Sequence, residues 1–415
     1  MTQATPPALR VDSLRLDNGL QLIGEYNPNA QSFAAAYLVK TGARDESPEV
    51  SGVSHFLEHM MFKGSDRRSA EDINREFDEL GAKYNAFTSE EMTVYYGSVL
   101  PESAPQLLDL LSDMMRPALR QEDFDMEKNV ILEEIAMYED RPAFKVFERG
   151  MQHFWQGYPL GNSILGTAAS IRDLQQAQML HYFQQRYAPN NLILSLAGNY
   201  DWQAVTAQVQ TLCGHWTSQD SPRDYPTLHS ASGDVVAYDS KLKRPHVAMF
   251  APGVSAQDPQ RYAAALLASC VGDSSGSRLY WKLVDSGLVE SASLSHDHAD
   301  AAGNFIGYLS TSSAQLDAAM DIYREVLAEV EQQGVNAEEW TRAQRKLATS
   351  LTLRAETPFG RLLSLGTAYQ YLGNYQSLPD IIDQVMATRP EDALRLLEQK
   401  PFSQALYFKL LPEQA

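Results

Sequence analysis

Between residues 14 and 26 apolar and polar side chains alternate, and the alternation breaks at Asn18-Gly19, the pattern of two strands joined by a tight turn. A further apolar run predicts a strand at 33–40. Residues 51–64 and 69–81 carry helical spacing, the second with Ser69 as a natural N-cap, whereas 82–100 is rich in Tyr, Phe, Val and Thr and reads as one or two strands. Long amphipathic stretches predict helices at 101–116, 121–138 and 170–187. A strand at 191–197 closes the first half.

From 217 to 232 the composition turns to Ser, Asp, Pro, Thr and Gly with few large apolar residues, as in a linker. The pattern then starts over. A strand is expected at 246–251, helices at 260–271 and 277–286, strands at 292–296 and 304–311, helices at 314–333, 337–355 and 359–372, and a last strand at 405–411. Strands, then helices, then a strand, twice, predict an α+β protein of two homologous modules, each an antiparallel-rich sheet with helices packed on one face. The expected division is 1–218 for the first module, 219–232 for the linker and 233–415 for the second.

Composition narrows the function. The 415 residues carry a formal net charge of -19, which repels phosphates and argues against nucleic acid or an anionic membrane as partner. Cys213 and Cys270 stand alone in unrelated contexts, so neither a disulfide framework nor a thiolate metal cluster is expected, and both read as small buried hydrophobes. The first ten residues show no apolar stretch behind a basic start, and no segment approaches the roughly 20 apolar residues of a membrane helix. A cytoplasmic location is the expectation.

The candidate chemistry lies in His55-Phe56-Leu57-Glu58-His59. Two histidines four residues apart on a helix project from one face, one turn apart, and can chelate one ion. A single histidine in such a helix is more often a packed core residue. Two histidines with a glutamate in the order H-x-x-E-H form the inverzincin pattern, in which the glutamate reaches a metal-bound water as general base. A catalytic zinc keeps one position for water and needs a third protein ligand. Glu127 and Glu134, seven residues apart on a predicted helix, share a face within about 20°, with Glu133 turned about 100° away. Such a helix can supply a ligand and an outer carboxylate together.

Residues 52–65, Gly-Val-Ser-His-Phe-Leu-Glu-His-Met-Met-Phe-Lys-Gly-Ser, followed by Gly-Ala-Lys-Tyr-Asn-Ala-Phe-Thr at 81–88 and Val-Ile-Leu-Glu-Glu-Ile at 130–135, resemble the pitrilysin/insulinase family of metallopeptidases, which includes insulin-degrading enzyme and the mitochondrial processing peptidase. Three motifs stand in the family's order at matching separations, and a weaker likeness runs through the second half. The resemblance implies one zinc per chain bound by His55, His59 and Glu134, with Glu58 as base and Glu127 supporting the site. It also implies that Asn85, Ala86, Phe87 and Thr88 form an exposed strand edge that pairs with an extended substrate. Met60, Met61 and Phe62 are expected to pack behind the metal helix. The expected activity is a zinc-dependent endopeptidase acting on short or unfolded peptides; a non-hydrolytic partner in a family-like complex is the alternative.

Members of this family close two homologous halves or two subunits around a chamber, and the half opposite the zinc often supplies an Arg before, and a Tyr after, a Gly-Leu pair. The matching stretch here, 283–290, has Val284 and Glu290 at those places. The resemblance therefore implies a dimer, with a heterodimer whose family-like second chain brings the Arg and Tyr preferred over a homodimer. Residues 272–278 form a Gly/Ser loop that lacks the P-loop lysine, so phosphate binding is not expected. His296 and His298 alternate on a strand and are expected to be solvated.

Overall fold

A computed structural model describes residues 9–413. In chain order, strands β1 (Arg10–Arg15), β2 (Gln21–Tyr26) and β3 (Phe33–Val39) precede helices α1 (Val53–Met60) and α2 (Ala70–Glu79) and the hairpin β4 (Lys83–Thr88) and β5 (Thr93–Val99). Helices α3 (Ala104–Met114), α4 (Gln121–Glu139), α5 (Pro142–Phe154), α6 (Ala168–Asp173) and α7 (Gln176–Arg186) lead to β6 (Leu192–Gly198) and α8 (Trp202–Cys213). The later part runs β7 (Gly233–Asp239), β8 (His246–Pro252), α9 (Arg261–Gly272), β9 (Ser291–Ala299) and β10 (Ala302–Ser310). It ends with α10 (Leu316–Gln333), α11 (Ala337–Ala355), α12 (Pro358–Leu372), α13 (Leu378–Ala387), α14 (Pro390–Leu397) and β11 (Leu406–Pro412).

The first sheet has the order β1-β2-β6-β3-β5-β4 and the second β7-β11-β8-β10-β9. In each, one parallel pair, β2 with β6 and β7 with β11, sits beside a run of antiparallel neighbours. The second sheet thus repeats the first without its β1, which is the two-module α+β plan expected from the pattern.

By packing, the chain divides into two units that are not linear segments. One takes residues up to Ile135, Asn162–Asp224 and Leu353–Gln376; the other takes Ala136–Gly161, Tyr225–Thr352 and the residues from Ser377 on. Each unit receives a helix from the opposite half of the sequence. In the first, Tyr37, Phe56, Leu57, Leu107, Leu111 and Ile131 form the core on one sheet face. Ala34, Ala36, Leu38, Val94 and Ile193 on the other face are covered by Leu362 and Leu365 of α12. Helix and sheet touch so closely there that a Cβ on Gly366 would stand 2.7 Å from a Leu38 methyl. A buried bidentate pair, Arg361 Nη2 to Glu25 Oε2 at 2.6 Å and Nε to Oε1 at 2.9 Å, fixes α12 on β2. In the second unit, α5 lays Val146 and Phe154 against Phe250 of β8.

Several expectations are refined. The 170–187 stretch is two helices, because Leu174 and Gln175 are extended and Gln175 starts α7 as its N-cap. Helices α5, α8, α13 and α14 and strand β7 stand where no element was expected. Residues 280–284 form a π-helical turn rather than a full α-helix. Ser69 caps α2 as anticipated, accepting the Asp72 N–H at 3.1 Å. Cys213 and Cys270 are both free and buried. His296 departs from the expectation of a solvated ring: it packs on Phe305, accepts the Val254 N–H at 3.2 Å, and burial pulls it down to about 3. No helix among the described residues is long and apolar enough to cross a membrane.

Candidate metal centre

Helix α1 is short, and its apolar residues Val53, Phe56, Leu57 and Met60 are buried while His55, Glu58 and His59 share its remaining side. Met60 and Met61 lie in the core as expected, and Phe62 is packed against it beside Tyr84. Phe56 stacks on Phe124 of α4, ring centroids 4.7 Å apart, so the two helices that carry the candidate ligands are joined by a core contact.

That contact brings α4's acidic side to the histidines. Glu134 Oε2 stands 3.8 Å from His55 Nε2 and 3.4 Å from His59 Nε2, and the donor atoms of the three residues lie within 4.8 Å of one another. Ligands about 2.0–2.2 Å from a tetrahedral ion are separated by about 3.3–3.6 Å, so the trio can close on zinc with little movement. Two imidazoles, one carboxylate and no thiolate form a borderline donor set that suits it. His55 is 8% exposed and its Nδ1 is buried with no hydrogen-bond partner; burial, then the neighbouring His59, pull its pKa down to about 3, so it is a neutral ring. Such an imidazole in an apolar wall fits a metal at its other nitrogen.

Glu127, one heptad before Glu134, accepts from His59 Nδ1 at 2.9 Å and forms an ion pair with Lys63 Nζ at 2.5 Å. Burial pushes its carboxyl up, but these two partners outweigh it and hold the group below its usual range. The acceptor at Nδ1 sets the tautomer: the proton stays on Nδ1 and the Nε2 lone pair faces Glu134. Burial likewise works against charge on His59, and the Glu127 hydrogen bond with the charges of Glu134 and Glu58 overcomes it, raising the pKa of the metal-free ring.

Glu58 is held from β4, where Thr88 Oγ1 donates to its Oε2 at 2.6 Å. Burial raises the Glu58 carboxyl, against the pull of Thr88 and His59. A carboxylate raised in this way is a stronger base than a free one. Among the described residues, strand β4 is the terminal strand of its sheet and pairs with β5 alone, so its outer edge offers N–H and C=O groups to a further strand. Asn85 and Phe87 are exposed, Ala86 is buried against the core, and Thr88 is turned inward to Glu58. In the second unit, Val284 is packed at the edge of its core and Glu290 forms an exposed ion pair with Arg244.

The structure therefore brings Glu58, His55, His59, Glu134 and Glu127 together, and places residues 85–88 on the terminal strand of the sheet, with the last side chain touching Glu58. Sequence reasoning missed Lys63 and the inward role of Thr88. Both sit inside motif strings already singled out, but only tertiary contact shows what they touch.

Residues 22–168 match the insulinase (peptidase family M16) model and 173–347 match the M16 inactive-domain model. An uncharacterized zinc protease of Bacillus subtilis is 30% identical over 386 residues, covering 92% of this chain and 93% of its own. One of Streptomyces coelicolor is 30% identical over 387 residues, covering 91% and 84% respectively. Among solved structures, a protease from Helicobacter pylori superposes with a TM-score of 0.90 at 19% identity over 98% of this chain and 100% of that one. An M16-like peptidase from Alicyclobacillus acidocaldarius does so with 0.87 at 21% identity, covering 100% of both. A chain of complex III2 from Candida albicans shares the fold with 0.82 at 16% identity, over 97% of this chain and 96% of that one.

Proposed function

Since the chain belongs to peptidase family M16, the insulinase family, we propose that it is a zinc-dependent endopeptidase that hydrolyses short or unfolded peptides. The supporting observation is the convergence of His55, His59 and Glu134 beside a Glu58 held by Thr88. His55, His59 and Glu134 hold one zinc per chain. When bound, the ion lowers the pKa of a water toward neutrality and polarises the peptide carbonyl. Glu58 accepts the proton of the attacking water and later returns it to the leaving amine. Glu127 and Lys63 keep His59 in the tautomer that binds. The outer edge of β4 at 85–88 pairs with an extended peptide backbone, which holds a substrate with little regard to its sequence.

Val284 and Glu290, at positions where the family often has an Arg and a Tyr, favour a chamber closed by a second, family-like subunit that supplies those groups. A homodimer is the competing arrangement, and full-rate cleavage by the isolated chain would overturn the heterodimer. A second reading, a non-hydrolytic partner, draws on the same fold occurring in complex III2; a complete His-His-Glu trio with an adjacent base weighs against it. Incubation with a mixed peptide pool tests the proposal: cleavage is expected, and is expected to stop with chelator and return with zinc. Cleavage that persists in chelator removes the metal mechanism, and no cleavage by the zinc-loaded chain with its partner favours the second reading.

A further inference from the structure

Both histidines and the base ride on an eight-residue helix, so the metal geometry is as accurate as that helix is immobile. A helix this short has little stability of its own. Its N-cap is Gly52, with φ +90 and no side chain to cap with, and a Cβ there would stand 2.6 Å from the Leu165 carbonyl oxygen.

The missing cap is supplied by Glu46, six residues upstream. Its Oε2 accepts the Gly52 N–H at 2.6 Å and its Oε1 the Ser54 N–H at 2.7 Å. The side chain is buried, which raises its pKa to about 8 against the pull of the Ser54 and Gly52 N–H groups, and both of its oxygens are taken by N–H donors at a helix N-terminus. The loop carrying Glu46 is anchored in turn. Asn162 donates to the Ala43 carbonyl at 2.9 Å, Arg223 grips Asp45 through Nε and Nη2 at 2.9 and 2.8 Å, and Arg44 pairs with Glu91 in the interior. On the helix side, Ser54 Oγ is bonded to the Tyr182 hydroxyl at 2.7 Å, which reaches Thr41 Oγ1 at 3.0 Å. His55 is the next residue.

We propose that Glu46 is a positioning residue for the metal: by holding two amides of the first turn it fixes the rotation of α1 about its axis, and with it the aim of His55 and His59. The inference rests on the metal reading above. Side-chain atoms about 5–6 Å from a helix axis move by about 1 Å when the helix turns by about 10°. Metal-ligand distances tolerate only about 0.2 Å. A slack first turn therefore costs affinity even in a folded chain. Glutamine at 46 offers one acceptor and turns an N–H against an N–H at the other contact.

The test compares Glu46→Gln with Arg361→Met, which breaks the buried pair on the opposite sheet face and lowers stability without touching α1. Zinc affinity is measured by competition with a chromophoric chelator well below the unfolding temperature, and the visible spectrum of the cobalt(II)-loaded chain reports ligand geometry. Glu46→Gln is expected to weaken zinc at least tenfold and to alter the cobalt spectrum, while Arg361→Met keeps both. If Glu46→Gln does not fold, Glu46→Asp, with the charge but one methylene short, carries the same comparison. Wild-type zinc affinity with an unchanged cobalt spectrum in the Glu46 variant, or zinc loss in Arg361→Met matching its loss of stability, overturns the proposal. A wild-type chain that binds no zinc removes the metal reading, and this inference with it.

Discussion

Replacing Glu127 by glutamine isolates one contact. Glu127 is 3% exposed; its carboxylate accepts from His59 Nδ1 at 2.9 Å and pairs with the Lys63 ammonium at 2.5 Å. Glutamine keeps an oxygen for His59, but its amide nitrogen then faces the Lys63 ammonium, donor against donor, and the negative charge that raises the basicity of the imidazole is gone. Outer partners of metal-binding histidines are worth roughly 10–100-fold in affinity, about 1.4–2.8 kcal/mol. Fold stability should change less. The Lys63 side chain is 31% exposed and can turn to water, so the ion pair is screened and its loss costs about 1 kcal/mol or below. Zinc affinity by chelator competition and urea unfolding of the metal-free chain give the two numbers separately. An unchanged zinc affinity would refute the reasoning, because it would mean that the His59–Glu127 contact orients nothing the metal uses.

Other outcomes follow from the same geometry. Glu58→Gln should retain stoichiometric zinc while peptide turnover falls by roughly 10²–10⁴-fold; turnover near wild type in a zinc-replete sample removes Glu58 as base. Thr88→Val should lower kcat by about tenfold, the weight of one hydrogen bond to a charged group, with KM little changed, and Thr88→Ser should restore it; an effect confined to KM would instead place Thr88 among the substrate contacts. The raised His59 pKa means that, without metal, the imidazolium stabilises the fold below the usual histidine value of about 6.5 and that this contribution is lost as pH rises through the higher folded value. Zinc must displace that proton, whereas His55, at about 3, has none to give. Calorimetry at about pH 6 in buffers of different ionisation enthalpy should thus find about one proton released from the histidines per zinc; two would mean that both rings are charged.

What could be read from the residues was what is local or periodic. The four-residue spacing of His55 and His59 and the heptad from Glu127 to Glu134 are statements about single helices, and a helix keeps such promises wherever it packs. Thr88 to Glu58, Lys63 to Glu127 and Glu46 to Gly52 join different elements, and no periodicity announces them. The same limit explains α12. Its apolar pattern marks a helix, but that pattern does not say that it crosses back to the first sheet, because its partners there, Glu25 and Leu38, stand more than 300 residues upstream. The split at Leu174 and Gln175 has no signature in the residues, since both are compatible with a helix; the extended backbone at the two positions is what separates α6 from α7.

The return of α12 has a consequence for inheritance and engineering. A fragment ending near residue 218 would keep every proposed ligand yet expose Ala34, Ala36, Leu38 and Ile193 to water and leave the Glu25 carboxylate without its guanidinium. Such a piece is expected to aggregate rather than to bind zinc. The metal-bearing half is therefore not a portable cassette, and the two halves of the gene can be separated only if the strap that closes the first one travels with it.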